Sequence, residues 1–205
     1  MKVLALEAST DFASVALWAE GRVLVEESFA SKRSLSADLF PVLWRVLEPF
    51  GRMERIAVGL GPGSYAGVRI AIAAALGLQA VWDCELVGIP SVAALEEAGE
   101  AFRVIGDARR GTWYYTRVEG GVCVEGPLLV DSSEALRVLL EKEGGAIFAT
   151  EELPPEWGAS LRRPSAVRLA RLAAADVGIV QTVSLEPLYL REAHITTPKP
   201  KGGKG

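Results

Sequence analysis

Glycines, hydroxyls and unlike charges gather at three places in this 205-residue sequence. The first is Gly59-Leu60-Gly61-Pro62-Gly63-Ser64-Tyr65-Ala66-Gly67-Val68-Arg69. Its glycines permit close backbone approach, Ser64 is a good helix N-cap, and a helix N-terminus favours an anion. The phosphate-cradling motif G-x-x-x-x-G-K-[ST] needs a lysine before Ser or Thr, whereas here Gly67 is followed by Val68-Arg69. A tight structural turn is the better reading. The second place is Glu7-Ala8-Ser9-Thr10-Asp11, whose hydroxyls suit an anion but are also ordinary turn chemistry. The third is Asp107-Ala108-Arg109-Arg110-Gly111, where the arginines can grip a phosphate or a partner carboxylate, or form a solvated rim. Glu7, Ser9, Thr10, Asp107, Arg109 and Arg110 are thus the candidate nucleotide or anion contacts.

Other chemistries lack their residues. His194 is the single histidine, so a two-histidine metal site cannot be built, and Ser-His-Asp catalysis would hang on that one base without a G-x-S-x-G elbow. Cys84 and Cys123 form no C-x-x-C pair and read as reduced packing residues. No catalytic set and no metal ligand are assigned. With 22 basic against 26 acidic residues the net charge is −4, which argues against capture of nucleic acid by the chain's own field. The apolar run from Val68 to Val81 falls short of the ~20 residues of a membrane span. Met1 to Glu7 reads as a strand rather than a signal peptide. A soluble, cytoplasmic protein without membrane contact is expected.

The elements that must position these groups repeat. Val3 to Glu7, Ser14 to Ala19 and Arg22 to Ser28 read as strands, the last two joined at Glu20-Gly21. A helix over Asp38 to Phe50 follows, with Asp38 as N-cap so that Pro41 falls in its first turn. Then come a strand at Ile56 to Leu60, the helix after Ser64, a short strand at Leu86 to Ile89, and a helix from Ser91 to about Ala98. The second half gives strands at Phe102 to Gly106, Thr112 to Val118 and Val122 to Glu125, then a helix from Ser133 to Glu143. A strand at Ala146 to Thr150 and a helix from Ser165 to Val177 complete it. The reading is an α/β fold of two tandem β-β-β-α-β-α units with mixed sheets: residues 1–101, residues 102–195, and a disordered tail over 196–205.

Two helices are more apolar than a surface helix should be. Between Val68 and Trp82 only Arg69 and Gln79 are polar, so this helix is expected to be buried on every side, by its own core or by a partner. In the earlier helix Leu39, Phe40, Val42, Leu43, Trp44, Val46, Leu47 and Phe50 cover more than one face. Together they suggest leftover apolar surface of the size of one side of a standard interface, about 800 Å².

The tandem order resembles the actin-like (ASKHA) architecture, in which nucleotide sits between the halves and the phosphate loops, an acid followed by glycine, occupy the first hairpin of each half. By that resemblance the loops here are Glu7 to Asp11, without the glycine, and Asp107 to Gly111; both look degraded, and Glu7 and Asp107 would hold any magnesium ion between the halves. Four segments then resemble one family, the bacterial TsaB (YeaZ) proteins. Leu4-Ala5-Leu6-Glu7-Ala8-Ser9-Thr10 is similar to the family's LALDTST, and Gly61 to Arg69 to its GPGSFTGLR. Asp107 to Gly111 is similar to its DARRGE, and Pro187-Leu188-Tyr189-Leu190-Arg191 to its PxYLR. Departures are Glu7 for aspartate, Ala8 and Ala66 for threonine, and Arg33-Ser34 where the family has His-Ser.

The resemblance implies a non-catalytic subunit in making N6-threonylcarbamoyladenosine next to the anticodon of tRNAs that read A-starting codons. It implies a TsaD transferase as partner, engaged through the first two long helices, with a TsaE ATPase joining. Leu39, Leu43, Trp44, Leu47, Arg69, Ile72 and Leu76 are the expected interface residues. A homodimer is expected for the isolated chain, tRNA contact only through the complex, and at most weak ATP/ADP-Mg in the assembly. The alternatives are a stand-alone actin-like ATPase or kinase and a glycopeptidase-like metal hydrolase, the latter short of a metal site and a base.

Overall fold

The strand Lys2–Glu7 (β1) is apolar from Val3 to Leu6 because both of its faces are covered; these four residues are at most 1% exposed. The structure, a computed structural model, describes residues 1–30, 35–142 and 144–190. In the first half β1 is followed by β2 (Phe12–Ala19), β3 (Arg22–Ala30), helix α1 (Leu35–Leu47), β4 (Arg55–Gly59), helix α2 (Tyr65–Trp82) and β5 (Glu85–Ile89). The second half runs β6 (Ala101–Asp107), β7 (Trp113–Glu119), β8 (Val122–Val130), α3 (Ser133–Lys142), β9 (Ala146–Ala149), β10 (Ser160–Leu161) and α4 (Ala166–Ala174).

The two sheets share one topology, β3-β2-β1-β4-β5 and β8-β7-β6-β9-β10. In each, an antiparallel meander is extended by parallel strands, which is the actin-like order. Leu4 sits between Leu17 on the antiparallel side and Ile56 on the parallel side. The hairpin turns fall where expected: Glu20 and Gly21 have φ of 52° and 77°, Gly120 and Gly121 of 56° and 84°. Paired positive φ matches the right-handed twist of the flanking strands.

Five layers result. α1 and α2 bury Leu39, Val42, Val46, Val68 and Ala71 against one face of the first sheet. α4 lies between the two sheets, with Leu169 and Ala170 fully buried among Val3, Ala5, Val104 and Phe148. α3 and Trp157 cover the outer face of the second sheet over Ile105 and Tyr115. Arg55 fixes the seam: its guanidinium pairs with Glu85 at 2.7 Å and Asp176 at 2.7 Å and donates to the Ala173 carbonyl at the end of α4. A cation at a helix C-terminus satisfies carbonyls that have no partner within the helix.

Several sequence expectations are corrected. α1 starts at Leu35 rather than Asp38, so Pro41 lies mid-helix; it faces outward, where its missing N–H is least costly. After Ser91 there is only a 3₁₀ turn, Ser91–Ala94. The helix at 166–174 is not the counterpart of α2: a 3₁₀ turn, Pro155–Trp157, stands in that place, and α4 follows β10 and crosses onto the first sheet. Of the two ways expected to bury α2, the chain's own core is not the one, since Tyr65, Ala66, Arg69, Ala73, Leu76, Gly77 and Ala80 form an exposed stripe. Arg33, Ser34, Arg191, His194 and the tail 196–205 lie outside the described residues.

Because α4 is shared by both sheets, truncating it should weaken both halves at once. Leu169→Ala is expected to cost about 2–5 kcal/mol. Urea unfolding followed by tryptophan fluorescence and by circular dichroism should shift together; separate transitions would contradict a common core.

Candidate functional site

The end of β1 and the start of α2 meet through backbone. Ser64 caps α2, its Oγ accepting from Gly67 N at 3.2 Å, while Ser64 N donates to the Ser9 carbonyl at 2.6 Å. A Cβ on Gly67 would stand 2.0 Å from the Ala8 carbonyl oxygen, so only glycine permits this approach. Ser91, expected to cap a helix, instead brackets the turn: its Oγ accepts from Gly61 N at 3.0 Å and its N–H donates to Gly61 O at 2.8 Å.

Glu7 lies beneath this junction rather than in the open. It is 1% exposed, and its Oε1 accepts from Ser9 N at 2.7 Å. Oε2 points into the space a Gly59 side chain would need, 1.8 Å from where its Cβ would be. Neither Oε2 nor the Ser9 hydroxyl meets a hydrogen-bond partner among the described residues. Burial raises the Glu7 pKa above the usual carboxylate range, against the Ser9, Ser91 and Ala8 groups that favour the charge.

Above Glu7 opens a cleft of about 660 Å³ between the two halves. One wall carries Ser9, Thr10 and the Pro62–Tyr65 turn; the other carries Asp107, Arg109, Tyr114 and Glu151. The 187–190 segment closes one end, with Leu188 N donating to Leu60 O at 2.8 Å and the Tyr189 ring 5.4 Å from that of Tyr65. Asp107 is held in place, accepting from Arg109 N at 2.6 Å through Oδ1 and donating from its own N to Glu151 Oε1 at 2.8 Å. Burial pushes the Tyr114 phenol up to about 12, so it stays a neutral hydrogen-bonding group beside Thr150.

The candidate anion contacts therefore divide. Ser9, Thr10, Asp107 and Arg109 share the cleft, and Arg110 lines an adjoining groove of about 440 Å³. Glu7 does not reach it, so the pair Glu7–Asp107 is not assembled. The Thr10 hydroxyl already serves its own turn, donating to Phe12 O at 2.9 Å. Carboxylates from Asp11, Asp107, Glu151 and Glu152 face the cleft against the guanidiniums of Arg109 and Arg163. That balance suits a phosphate poorly. Among the described residues no three His, Cys, Asp or Glu side chains gather into a metal-ligand set.

The expected interface residues divide as well. Leu39, Leu43 and Ile72 are 1%, 5% and 6% exposed and belong to the core, because they fall on the sheet-facing side of their helices. Leu47 is half-buried against the same core. Trp44 at 70% and Leu76 at 43% face outward, as does Arg69. Phe40, Tyr65 and Val81, which were not among the expected interface residues, also stand out. Their signal was present: Phe40 and Trp44 are four apart and opposite Leu35, Leu39, Val42 and Val46.

Comparison with known proteins places the motifs. A family model described as TsaD, tRNA N6-adenosine threonylcarbamoyltransferase, matches residues 33–132. The tRNA threonylcarbamoyladenosine biosynthesis protein TsaB of Escherichia coli is 31% identical over 60% of this chain. The aligned part spans 58% of that relative's own length. TsaB of Haemophilus influenzae is 25% identical over 93% of this chain and 94% of its own. The solved structure of YeaZ from Pseudomonas aeruginosa superimposes with a TM-score of 0.69 at 26% identity, covering 92% of this chain and 99% of that one. The chain is similar to the TsaB and YeaZ proteins over nearly its whole length. The described residues of the four family-like segments, dispersed over nearly 190 residues of sequence, converge on one cleft and the helix that leaves it.

Two tests address this junction. A carboxyl whose pKa is raised on folding gives stability that is fully present below its ordinary value of 4.5 and lost as pH rises through the folded value. Glu7→Gln, neutral throughout, should therefore exceed the wild type in urea midpoint near pH 7, with the gap closing in acid; parallel pH curves would refute a buried neutral acid. Gly67→Ala should lower stability by about 1–3 kcal/mol in thermal unfolding, although alanine is the better helix former by about 1 kcal/mol.

Proposed function

We propose that this chain is a non-catalytic subunit that pairs with a TsaD-type threonylcarbamoyltransferase in forming N6-threonylcarbamoyladenosine in tRNA. The outer face of α1 and α2 is the docking surface, a TsaE-type ATPase joins the pair, and tRNA is met through the assembly. The names of the Escherichia coli, Haemophilus influenzae and Bacillus subtilis relatives support the pathway. The single observation that carries the reading is the uncovered apolar face. Phe40, Trp44, Leu76 and Val81 are 56%, 70%, 43% and 79% exposed, around the small residues Ala73, Gly77 and Ala80. Small residues let a second helix approach closely while the large ones reach around it. Large apolar side chains left exposed together on neighbouring helices mark a candidate interaction site. In the isolated chain the same face is available to a second copy, so self-association competes with the partner.

The cleft supports a second reading, an ATPase of actin-like type, because the motif residues converge on it. Calorimetry with Mg-ATP separates the two: submicromolar binding by the chain alone would favour the ATPase, millimolar or no binding the subunit.

Trp44→Asp and Leu76→Asp change exposed side chains and should leave the thermal midpoint nearly unaltered. Each should weaken binding to the TsaD-type partner by roughly a hundredfold, as expected for central interface residues, and reduce threonylcarbamoyladenosine in tRNA in parallel. Full partner binding by the folded double variant would overturn the docking assignment.

A further inference from the structure

The exposed stripe of α2 carries one charge. From Tyr65 to Val81 its outward residues are aromatic, aliphatic or small except Arg69. Two other arginines of this half have acids, Arg45 with Glu27 at 2.5 Å and Arg55 with Glu85 and Asp176, while Arg52 donates to the Asp83 carbonyl. Arg69 is held differently. Its guanidinium lies 5.1 Å from the centroid of the Tyr65 ring and donates to the Tyr65 hydroxyl. Tyr189 packs against that same ring at a tilt of 37° from the 187–190 segment. Glu186, the acid that bears on Tyr189, makes no ion pair with Arg69 among the described residues.

Building on the docking surface proposed above, we infer that Arg69 is the polar anchor of that surface and receives a carboxylate of the partner protein. A guanidinium has five N–H donors, and a phenol hydroxyl and a ring face leave most of them to water. Covering the α2 stripe removes that water. A cation dewetted without a counter-ion is strongly unfavourable, so a stable complex must present an acceptor there. The planar fork matches a carboxylate through two parallel hydrogen bonds. A carboxylate on a protein fits the surroundings better than the phosphates of a nucleotide or nucleic acid. The stripe beyond Arg69 is apolar, as a protein partner requires, and the neighbouring cleft is lined by Asp11, Asp107, Glu151 and Glu152, which repel a polyanion. The tyrosine pair orients the guanidinium before the partner arrives, which reduces the ordering cost of binding.

The test uses the full chain and its TsaD-type partner, with affinity measured by calorimetry at about 50 and about 300 mM salt, either side of the range where the Debye length is near 10 Å. Arg69→Met, which keeps stem and helix propensity, should retain the thermal midpoint, weaken binding by roughly thirtyfold or more, and flatten the salt dependence. Arg69→Lys should recover only part of the affinity because the fork is lost. Tyr65→Phe, which keeps the ring but releases the guanidinium, should lose roughly two- to tenfold. Arg69→Met with wild-type affinity and salt dependence, alongside a Leu76→Asp variant that does not bind, would overturn the anchor while leaving the docking surface standing. Undiminished binding by Leu76→Asp would remove the docking surface, and the anchor with it. Normal partner binding by Arg69→Met with a lost affinity for tRNA would assign the guanidinium to phosphate and equally overturn the inference.

Discussion

The backbone contact between the Ala8–Ser9 loop and the first turn of α2 governs much of what surrounds it. The Ala8 carbonyl occupies the space a Gly67 side chain would take, and the Ser9 carbonyl receives the Ser64 amide. A contact this close fixes the entry angle of α2 as rigidly as any side-chain packing. The angle in turn sets which residues of an almost wholly apolar helix meet the first sheet. Val68, Ala71, Ile72 and Ala75 turn inward, and the stripe from Tyr65 through Ala80 is left outside. The same contact forms one wall of the cleft and buries Glu7 under its floor. Cleft, buried acid and uncovered helix face are three results of one constraint.

The two halves are alike in sheet order and unlike in what covers the sheets. Two long helices shield the outer face of the first sheet, whereas the second has α3 and the indole of Trp157. Between the sheets, among the described residues, lies one α-helix, α4, supplied by the second half and anchored by Arg55 of the first. The place that symmetry would give to a second such helix holds the short turn Ser91–Ala94. That turn serves a different end, since Ser91 clamps Gly61 from both its amide and its hydroxyl. Loss of a helix on one side of the pseudo-symmetry thus coincides with a tighter hold on the loop that launches α2.

Strands and hairpins were legible in the sequence because their signals are local. Val3 to Leu6 is an unbroken apolar run, and Glu20-Gly21 and Gly120-Gly121 need only two residues to specify a turn. The four motifs were legible too, although their meeting at one cleft was not, since convergence depends on how 187–190 returns to Leu60. Helix boundaries failed where local rules compete. Pro41 suggested a first turn, yet its outward position lets the helix begin earlier. The partner of α2 in the repeat was misassigned because a 3₁₀ turn leaves almost no periodic trace. Leu39, Leu43 and Ile72, expected at the interface because they lie on the two apolar helices, belong instead to the core. The positions four apart on the opposite side, Phe40 and Trp44, are the ones exposed, and only the direction of the sheet decides between the two faces.

The return of residues 180–190 also has a bearing on how the chain matures as it is made. Gly88 on β5 donates to the Gln181 carbonyl and accepts from the Val180 amide, Leu185 fills a gap beside Leu60, and α4 covers the inner face of the first sheet. The amino-terminal half is therefore unfinished until residues beyond 180 have left the ribosome. Synthesis runs at about 5–20 residues per second, so its inner apolar face stays open for several seconds after β5 has emerged. A first sheet closed by α4 and the 180–190 return cannot complete its inner face before those residues are made.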